Sequence, residues 1–164
     1  MTLGSDDPRT MTADNRQPSI TRDAPVVSSA EAQIDAPVET VWEILTAVDR
    51  WPSWNPDVKS VSSTGPLATG STFSWKAGPG TIRSVVEHLE APGLVAWSGR
   101  TLGIRALHVW RLVPREDGTH VRTEESYDGL VARALRRPLQ GTLDTALVEG
   151  LRHLKTEAER TARS

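Results

Sequence analysis

Two side chains with acid–base chemistry, His108 and Glu125, lie in a chain that has few other groups suited to catalysis. Each is on a stretch of alternating residues that predicts a β-strand, and each shares the inward parity of that strand with apolar residues. If the strands are neighbours, the carboxylate would hold the imidazole charged or fix its tautomer. Such a pair could act as general acid and base in an aldol-type cyclisation or a dehydration. The alternatives are a structural hydrogen bond at the rim, or outward, solvated side chains after a one-residue change of register.

Motifs for other chemistries are not found in this sequence. The chain has no cysteine, which excludes disulfides, thiol catalysis and cysteine-ligated metals. Its four histidines lack the spacing of a metal site such as H-E-x-x-H. There is no G-x-S-x-G elbow, and the glycine-containing stretch 70–80 lacks the Lys-Ser/Thr ending of a phosphate-binding loop. The net charge of −2 gives no electrostatic reason to bind nucleic acid. We therefore expect no metal, no cofactor and no nucleic-acid partner.

The aromatic residues are nearly all tryptophan, with six Trp against one Tyr and one Phe. Tryptophan has a large apolar surface and one N–H, which suits the walls of a ligand cavity. At the positions predicted to face inward, large rings alternate with a few polar groups, as in pockets that orient a mostly apolar ligand. A sealed core would more often have Val, Leu and Ile at such positions. The predicted ligand-binding residues are Trp54, Phe73, Trp75, Trp97, Ala106, His108, Trp110, Thr123, Glu125, Tyr127, Leu143 and Leu147.

The elements that must position these residues are predicted from periodicity and turn signals. Residues 26–35 alternate as a first strand, Pro37 lies in the first turn of a helix, and the Pro- and Trp-rich segment 49–56 predicts a short second helix. Six further strands, separated by Gly- and Pro-containing turns, predict an antiparallel meander. These strands are predicted near 57–64, 70–77, 80–90, 94–100, 103–114 and 119–128.

From Leu130 to near the C-terminus the chain is predicted to be helical, with a break close to Pro138. After the break, apolar residues recur at three- and four-residue spacing over about five turns and match one face of a sheet. The result is an α+β domain of two layers, a curved antiparallel sheet wrapped around a long C-terminal helix. We expect a cavity between the sheet and this helix, with Trp75, Trp97 and Trp110 as its aromatic walls.

The arginines occupy two kinds of position. One set lies mostly on the outward parity of the strands and is expected to be solvated. A short basic run beside Pro138 is either an exposed helix end or a contact for an anionic lipid headgroup or a carboxylate at the mouth of the cavity. The outward set is Arg83, Arg105, Arg111 and Arg122, and the basic run is Arg133, Arg136 and Arg137.

Residues 1–25 are rich in Asp, Arg, Thr and Pro and have few large apolar side chains. This composition predicts a disordered N-terminal tail, followed by a single domain over residues 26–162. Either Met1 or Met11 is consistent with the true start. The segment has no apolar h-region and no hydrophobic span, which favours a cytoplasmic protein.

Three stretches of the chain resemble the SRPBCC or START-like superfamily, and within it the bacterial polyketide cyclase/dehydrase and lipid-transport group. They are IDAPVETVWEILTAVDRWPSWNPDV (34–58), VVEHLEAPGLVAWSGR (85–100) and HVWRLVPREDGTHVRTEESYDGL (108–130). The resemblance covers about residues 26–160 and implies a helix-grip fold, with two short helices after the first strand and a deep cavity between sheet and helix. The chain lacks the Cys and His cluster of Rieske-type members, so their redox chemistry is not implied.

The resemblance also implies that Trp42, Trp51, Trp54 and Pro56 shape one end of the cavity. It leaves the activity open, because one fold of this kind hosts many functions. The function that we favour is non-catalytic binding of a hydrophobic or aromatic molecule of the lipid, polyketide or quinone type. The alternative is a polyketide aromatase/cyclase in which His108 and Glu125 are the acid and base groups. A third function, binding of a protein partner, and a homodimer are left open by the sequence.

Overall fold

Seven strands form one antiparallel sheet in the computed structural model, which describes residues 17–164. Their order is β1-β7-β6-β5-β4-β3-β2, so the predicted meander from β2 to β7 is confirmed and β1 joins it beside β7. The strands are β1 (Val26–Ile34), β2 (Ser60–Ser63), β3 (Thr72–Lys76), β4 (Thr81–Glu90), β5 (Leu94–Thr101), β6 (Ile104–Arg115) and β7 (Gly118–Asp128).

Two short helices follow β1, as predicted. Helix α1 (Val38–Thr46) begins after Pro37, and its apolar residues at three- and four-residue spacing are buried. A 3₁₀ turn (Val48–Arg50) leads directly into α2 (Trp51–Trp54), where a proline is accommodated in the first turn because no N–H is needed there.

The C-terminal part of the chain forms α3 (Leu130–Ala134) and the long α4 (Arg136–Ala162). The predicted break falls at Leu135, whose backbone leaves the helical conformation between the two helices. Pro138 lies in the first turn of α4, where its missing N–H has no helical partner to lose. Within residues 17–164, none of the helices combines the length and hydrophobicity needed to cross a bilayer.

The hydrophobic core lies where β1, α1 and the second half of α4 meet. Ile34 of β1, Val41 and Leu45 of α1, and Leu151 and Leu154 of α4 are buried in one cluster, which continues into the inner face of the sheet. Each side chain of this kind stabilises the fold by roughly 1.5–3 kcal/mol relative to an exposed one. The core therefore fixes the second half of α4 on the sheet, and a separate buried cluster of Val26, Leu143 and Leu147 holds its first half on β1.

Residues 17–25 lie against the outer face of the sheet, in contrast to the disordered tail predicted for residues 1–25. Ile20 is buried in a cluster with three apolar residues of β5 and β6, and Arg111 Nη2 donates to the carbonyl oxygen of Pro18 at 2.6 Å. A single isoleucine can attach this segment to the sheet because the outward-facing residues of β5 and β6 are partly apolar. Residues 1–16 of the predicted tail lie outside the residues that the structure describes.

Candidate ligand-binding cavity

A cavity of about 1120 Å³ lies between the inner face of the sheet and the part of α4 from Arg137 to His153. This is the place that the sequence predicts. Cavities for drug-sized ligands usually measure roughly 300–1,000 Å³, so the volume suffices for a molecule with several rings.

The floor of the cavity is formed by a row of small residues that face one another across three strands. Ser84 of β4, Gly99 of β5 and Ala106 of β6 are direct cross-strand partners. The indole N–H of Trp75 donates to Ser84 Oγ at 3.1 Å, which holds the ring beside this row. Ser84 and Gly99 are absent from the predicted site. They share the inward parity of Trp97 and could have been found by looking for small residues between large ones.

The helix wall of the cavity is also made of small residues. Gly141, Thr142, Thr145, Ala146 and Gly150 line it. A Cβ atom added to either glycine would have no neighbour within 4 Å. The stripe predicted for α4 is therefore continuous in spacing, but in its first half Leu143 and Leu147 reach β1, and the small residues beside them face open space.

Four aromatic rings form a connected cluster at one side of the cavity, and three of them, Trp51, Trp75 and Trp97, line it. The ring centroid of Trp51 lies 5.8 Å from that of Phe73, 5.3 Å from Trp75 and 5.6 Å from Trp97. Most of these contacts are edge-to-face, the arrangement that aromatic pairs prefer. Phe73 does not line the cavity and supports Trp97 from behind, at a centroid distance of 5.9 Å.

His108 and Glu125 are brought together as direct cross-strand partners on β6 and β7. The His108 Nδ1 atom lies 3.5 Å from Glu125 Oε2, and its Nε2 atom lies 2.7 Å from Thr123 Oγ1. The imidazole sits between two indoles, with centroid distances of 5.2 Å to Trp97 and 5.1 Å to Trp110. The pair therefore faces the cavity from an aromatic wall and is not a solvated pair at the rim.

Burial sets the protonation of this pair. It lowers the pKa of His108 to about 3 and raises the pKa of Glu125 to about 8, because the site disfavours the charged form of each group. Both side chains are then neutral at pH 7, so the effect of Glu125 on the imidazole is on its tautomer and not on its charge. A protonated Glu125 can donate to Nδ1 when Nε2 carries the ring hydrogen and donates it to Thr123. Burial, together with the nearby Glu125, also raises the pKa of Tyr127.

Nine of the twelve residues predicted to bind a ligand line the cavity. The exceptions are Phe73, Thr123 and Leu143, which are buried outside it. Thr123 reaches the site only through its hydrogen bond to His108. Leu143 packs against Val26 of β1, because its position on α4 points toward the first strand.

The rim of the cavity includes polar and charged residues that the sequence prediction missed, namely Asp57, Lys59 and His153. The Nε2 atom of His153 lies 3.8 Å from Asp57. Arg137, from the basic run named in the sequence analysis, also lines the cavity. The spacing of Ala146, Gly150 and His153 along α4 would have shown that they share one face.

Two indole N–H groups in the wall have no hydrogen-bond partner among the described residues. They belong to Trp54 and Trp110, which both line the cavity. Buried polar atoms are normally paired, so these two donors are an exception within residues 17–164.

Comparison with known protein families gives a match that spans most of the chain. The family described as polyketide cyclase / dehydrase and lipid transport matches residues 25–159. A comparison with curated proteins finds no match.

Comparison with solved structures shows the helix-grip, START-like fold. The Zhui aromatase/cyclase from Streptomyces sp. R1128 matches with a TM-score of 0.72 and 17% identity, over 82% of this chain and 93% of that one. A START superfamily protein from Mycobacterium smegmatis has a TM-score of 0.68 and 15% identity, over 82% and 98% of the two chains. Protein MLL2253 from Mesorhizobium loti has a TM-score of 0.68 and 23% identity, with the same coverage.

Proposed function

Because the chain belongs to the polyketide cyclase / dehydrase and lipid transport family, we propose that it binds a hydrophobic or aromatic small molecule between the sheet and α4. The observation that carries this proposal is the cavity of about 1120 Å³ with small residues on its floor and its helix wall. Protein interiors are normally close-packed, with few voids larger than a water molecule. Unfilled space lined by apolar atoms lowers the stability of a fold. A cavity of this size is therefore expected where the space is used to bind a ligand.

The lining of the cavity favours a ligand of mixed character, mostly apolar with one or two neutral polar groups. The indoles of Trp75, Trp97 and Trp110 offer faces and edges for a ring system or an acyl chain. A neutral Glu125 can donate to a carbonyl oxygen. An ionised group at the same depth would be penalised by the burial that keeps Glu125 and His108 uncharged. Lipids, polyketides and quinones carry such carbonyl and hydroxyl groups on apolar frames.

A substitution that fills the cavity from the helix side tests the proposal. Ala146→Trp places an indole in the open space, whereas Val148→Trp places the same ring on the exposed side of α4, two residues away. With the apolar dye N-phenyl-1-naphthylamine as probe, we expect Ala146→Trp to weaken binding by at least about tenfold. The control Val148→Trp should bind within about threefold of the original chain.

The readouts are dye fluorescence and native mass spectrometry of the freshly purified protein. The original chain should enhance the dye fluorescence or carry a copurified small molecule that the Ala146→Trp variant lacks. Equal dye affinity in the two variants would place the dye outside the cavity. A chain that shows neither dye binding nor a copurified molecule would contradict the proposal.

The second candidate function is that of a polyketide aromatase/cyclase, which the His108–Glu125 pair favours. In an aldol step, a base removes a proton from a carbon between two carbonyls, and the resulting enolate carbon attacks a ketone carbon. The new alkoxide then takes a proton from an acid, and loss of water removes one more C–H proton and the hydroxyl group. His108 Nδ1 is a neutral base and the Glu125 carboxyl a protonated acid, 3.5 Å apart, in a cavity that would hold the substrate folded.

Glu125→Gln separates ligand binding from cyclase activity. The substitution keeps the size of the side chain and a hydrogen-bond donor but removes the proton that the carboxyl group can transfer. We would incubate a synthetic poly-β-ketone thioester with the original chain and with this variant, and identify the cyclised products by mass spectrometry. The cyclase function predicts a product distribution that differs from the uncatalysed mixture and reverts to it in Glu125→Gln, with dye affinity retained. A product mixture equal to the uncatalysed one with the original chain would leave binding as the function.

A further inference from the structure

Beside the rim segment 55–59, three further chain segments lie at the end of the sheet where the cavity opens. In an antiparallel meander, the β3–β4 turn, the β5–β6 turn and the link from β7 to α4 all lie at the same end. We call residues 76–83, 99–105 and 129–141 the mouth segments. Each contributes exposed residues to the cavity lining, namely Pro79, Leu102 and Arg137.

The mouth segments present three leucines to solvent. Leu102 is 66% exposed, Leu130 83% and Leu135 49%, and they are the exposed leucines of residues 17–164. The β5–β6 turn touches α3, since a Cβ atom at Gly103 would lie 3.0 Å from Val131 Cγ2. The three leucines thus belong to one surface around the opening of the cavity. An apolar cluster of this kind marks a site of interaction.

Leu102 occupies a backbone position that disfavours leucine. Its φ is 47° and that of the next residue, Gly103, is 78°, so both residues of the two-residue turn are left-handed. Turns of this geometry favour Asn-Gly, because a bulky side chain on a left-handed residue is sterically unfavourable. Asparagine would fold better here and would expose no apolar surface. The strain together with the exposure indicates that the leucine side chain itself is used.

The charge of the mouth segments is opposite to that of the rest of the chain. They contain seven of the 19 Lys and Arg residues and none of the 21 Asp and Glu residues. The rest of the chain, with the other 12 basic residues and all of the acidic ones, therefore carries a net charge of −9. Nearby, Asp128 pairs with Arg105 at 3.2 Å, and Asp57 on the rim lies 3.8 Å from His153 Nε2. The basic residues are Lys76, Arg83, Arg100, Arg105, Arg133, Arg136 and Arg137.

We propose that the mouth segments dock onto the surface of an anionic lipid bilayer, with Leu102, Leu130 and Leu135 entering the apolar layer and the surrounding arginines contacting lipid phosphates. Leucines that project from separate turns with arginines between them suit a fluid surface that has an anionic plane above an apolar interior. Arginine in particular suits phosphate, which it contacts through two donors. The docking surface does not depend on what the cavity holds. If the cavity holds a lipid-soluble molecule, docking would place its opening against the phase in which that molecule dissolves.

The test measures co-flotation of the full chain with vesicles. We expect binding to vesicles of phosphatidylcholine with roughly one third phosphatidylglycerol, and little binding to pure phosphatidylcholine, with the difference reduced by salt. Replacing Arg133, Arg136 and Arg137 together by Gln should lower the affinity about a hundredfold, since each basic residue near an anionic surface contributes about fivefold. The matched control replaces three exposed arginines elsewhere, Arg50, Arg115 and Arg163, by Gln and should retain binding.

Leu102→Asn tests the apolar part of the surface without a loss of stability. This variant should raise the melting temperature, because asparagine suits the left-handed turn, and should weaken vesicle binding roughly tenfold, because the inserted apolar group is lost. A more stable protein that binds vesicles less well cannot be explained by unfolding. Unchanged vesicle binding in Leu102→Asn would overturn the proposed insertion.

Other outcomes would also overturn the proposal. Equal binding to the two vesicle types, or equal loss in the arginine control, would show that this surface does not recognise anionic lipid. Absence of vesicle binding together with tight, arginine-dependent binding to poly-glutamate would assign the surface to an acidic protein. The Ala146→Trp variant distinguishes membrane docking from ligand binding in the cavity, since vesicle binding should persist in it when dye binding is lost.

Discussion

The two halves of α4 continue the same apolar stripe but differ in how completely that stripe is packed. In the second half, Leu151, Leu154 and Ala158 are all buried in the core. In the first half, Leu143 and Leu147 pack against β1, whereas Ala146 and Gly150 line the cavity. One helix can thus be held on the sheet along both halves and still keep a binding space open beside its small residues.

The largest effect that would test this comparison is expected at Leu154, which is fully buried in the packed half. Leu154→Ala should lower the free energy of unfolding by about 2–5 kcal/mol, through lost burial and the new cavity. Thr145→Ala, in the half that lines the cavity, should change it by less than about 0.5 kcal/mol, because Thr145 is exposed. Urea unfolding followed by tryptophan fluorescence measures both values. Similar losses in the two variants would show that the face of α4 toward the cavity is packed as closely as the core.

The features of the fold and of the site that follow from periodicity could be predicted from the sequence. Alternate residues of a strand point to opposite faces of the sheet. To predict that His108 and Glu125 face inward, it was therefore enough to identify the inward face of each strand. The features that depend on distance could not be predicted in this way. Leu143 and Leu147 lie on the same stripe and both pack near Val26 of β1, yet only Leu147 also lines the cavity, a difference that helical spacing does not give.

Two further features depend on contacts between distant segments. Ile20 lies in a stretch whose composition predicts disorder, and its burial depends on apolar residues of β5 and β6 about 80 positions later. The size of the cavity depends on Ser84, Gly99 and Ala106 meeting across three strands. None of these small residues stands out within its own strand. They form the floor of the cavity because the strand register places them opposite one another.

The pH dependence of stability is the second test, because it reports whether the half of the domain next to the cavity excludes water around His108 and Glu125. Glu125 keeps its proton to a pH of about 8 in the folded chain, against 4.5 in the unfolded one, so stability falls as the pH rises from 4.5 to 8. His108 is protonated below about 3 when folded, against 6.5 when unfolded, so stability falls as the pH drops from 6.5 to 3. The two slopes cancel between 4.5 and 6.5, where the contribution of this pair is flat.

Each group should contribute a slope of up to about 1.4 kcal/mol per pH unit on its own side of this plateau. Glu125→Gln should remove the loss of stability between pH 6.5 and 8, and His108→Gln should reduce the loss of stability between pH 4.5 and 3. Denaturant midpoints measured across this range give the difference between each variant and the original chain. Differences that do not vary with pH would show that the two groups titrate normally and that water fills the site.

The smallest effect is expected at Gly150, where α4 faces open space. Gly150→Ala should raise the free energy of unfolding by about 0.5–1 kcal/mol, because alanine is the better helix former and its methyl group meets no atom within 4 Å. The reverse change in the packed half, Ala158→Gly, should cost more than this gain, since it also removes a methyl group from the core. The loss of unfolding free energy in Ala158→Gly should exceed the gain in Gly150→Ala, and the difference measures how much more closely the second half of α4 is packed at these positions. Destabilisation by Gly150→Ala would mean instead that the first half of α4 lies closer to the sheet than the cavity allows.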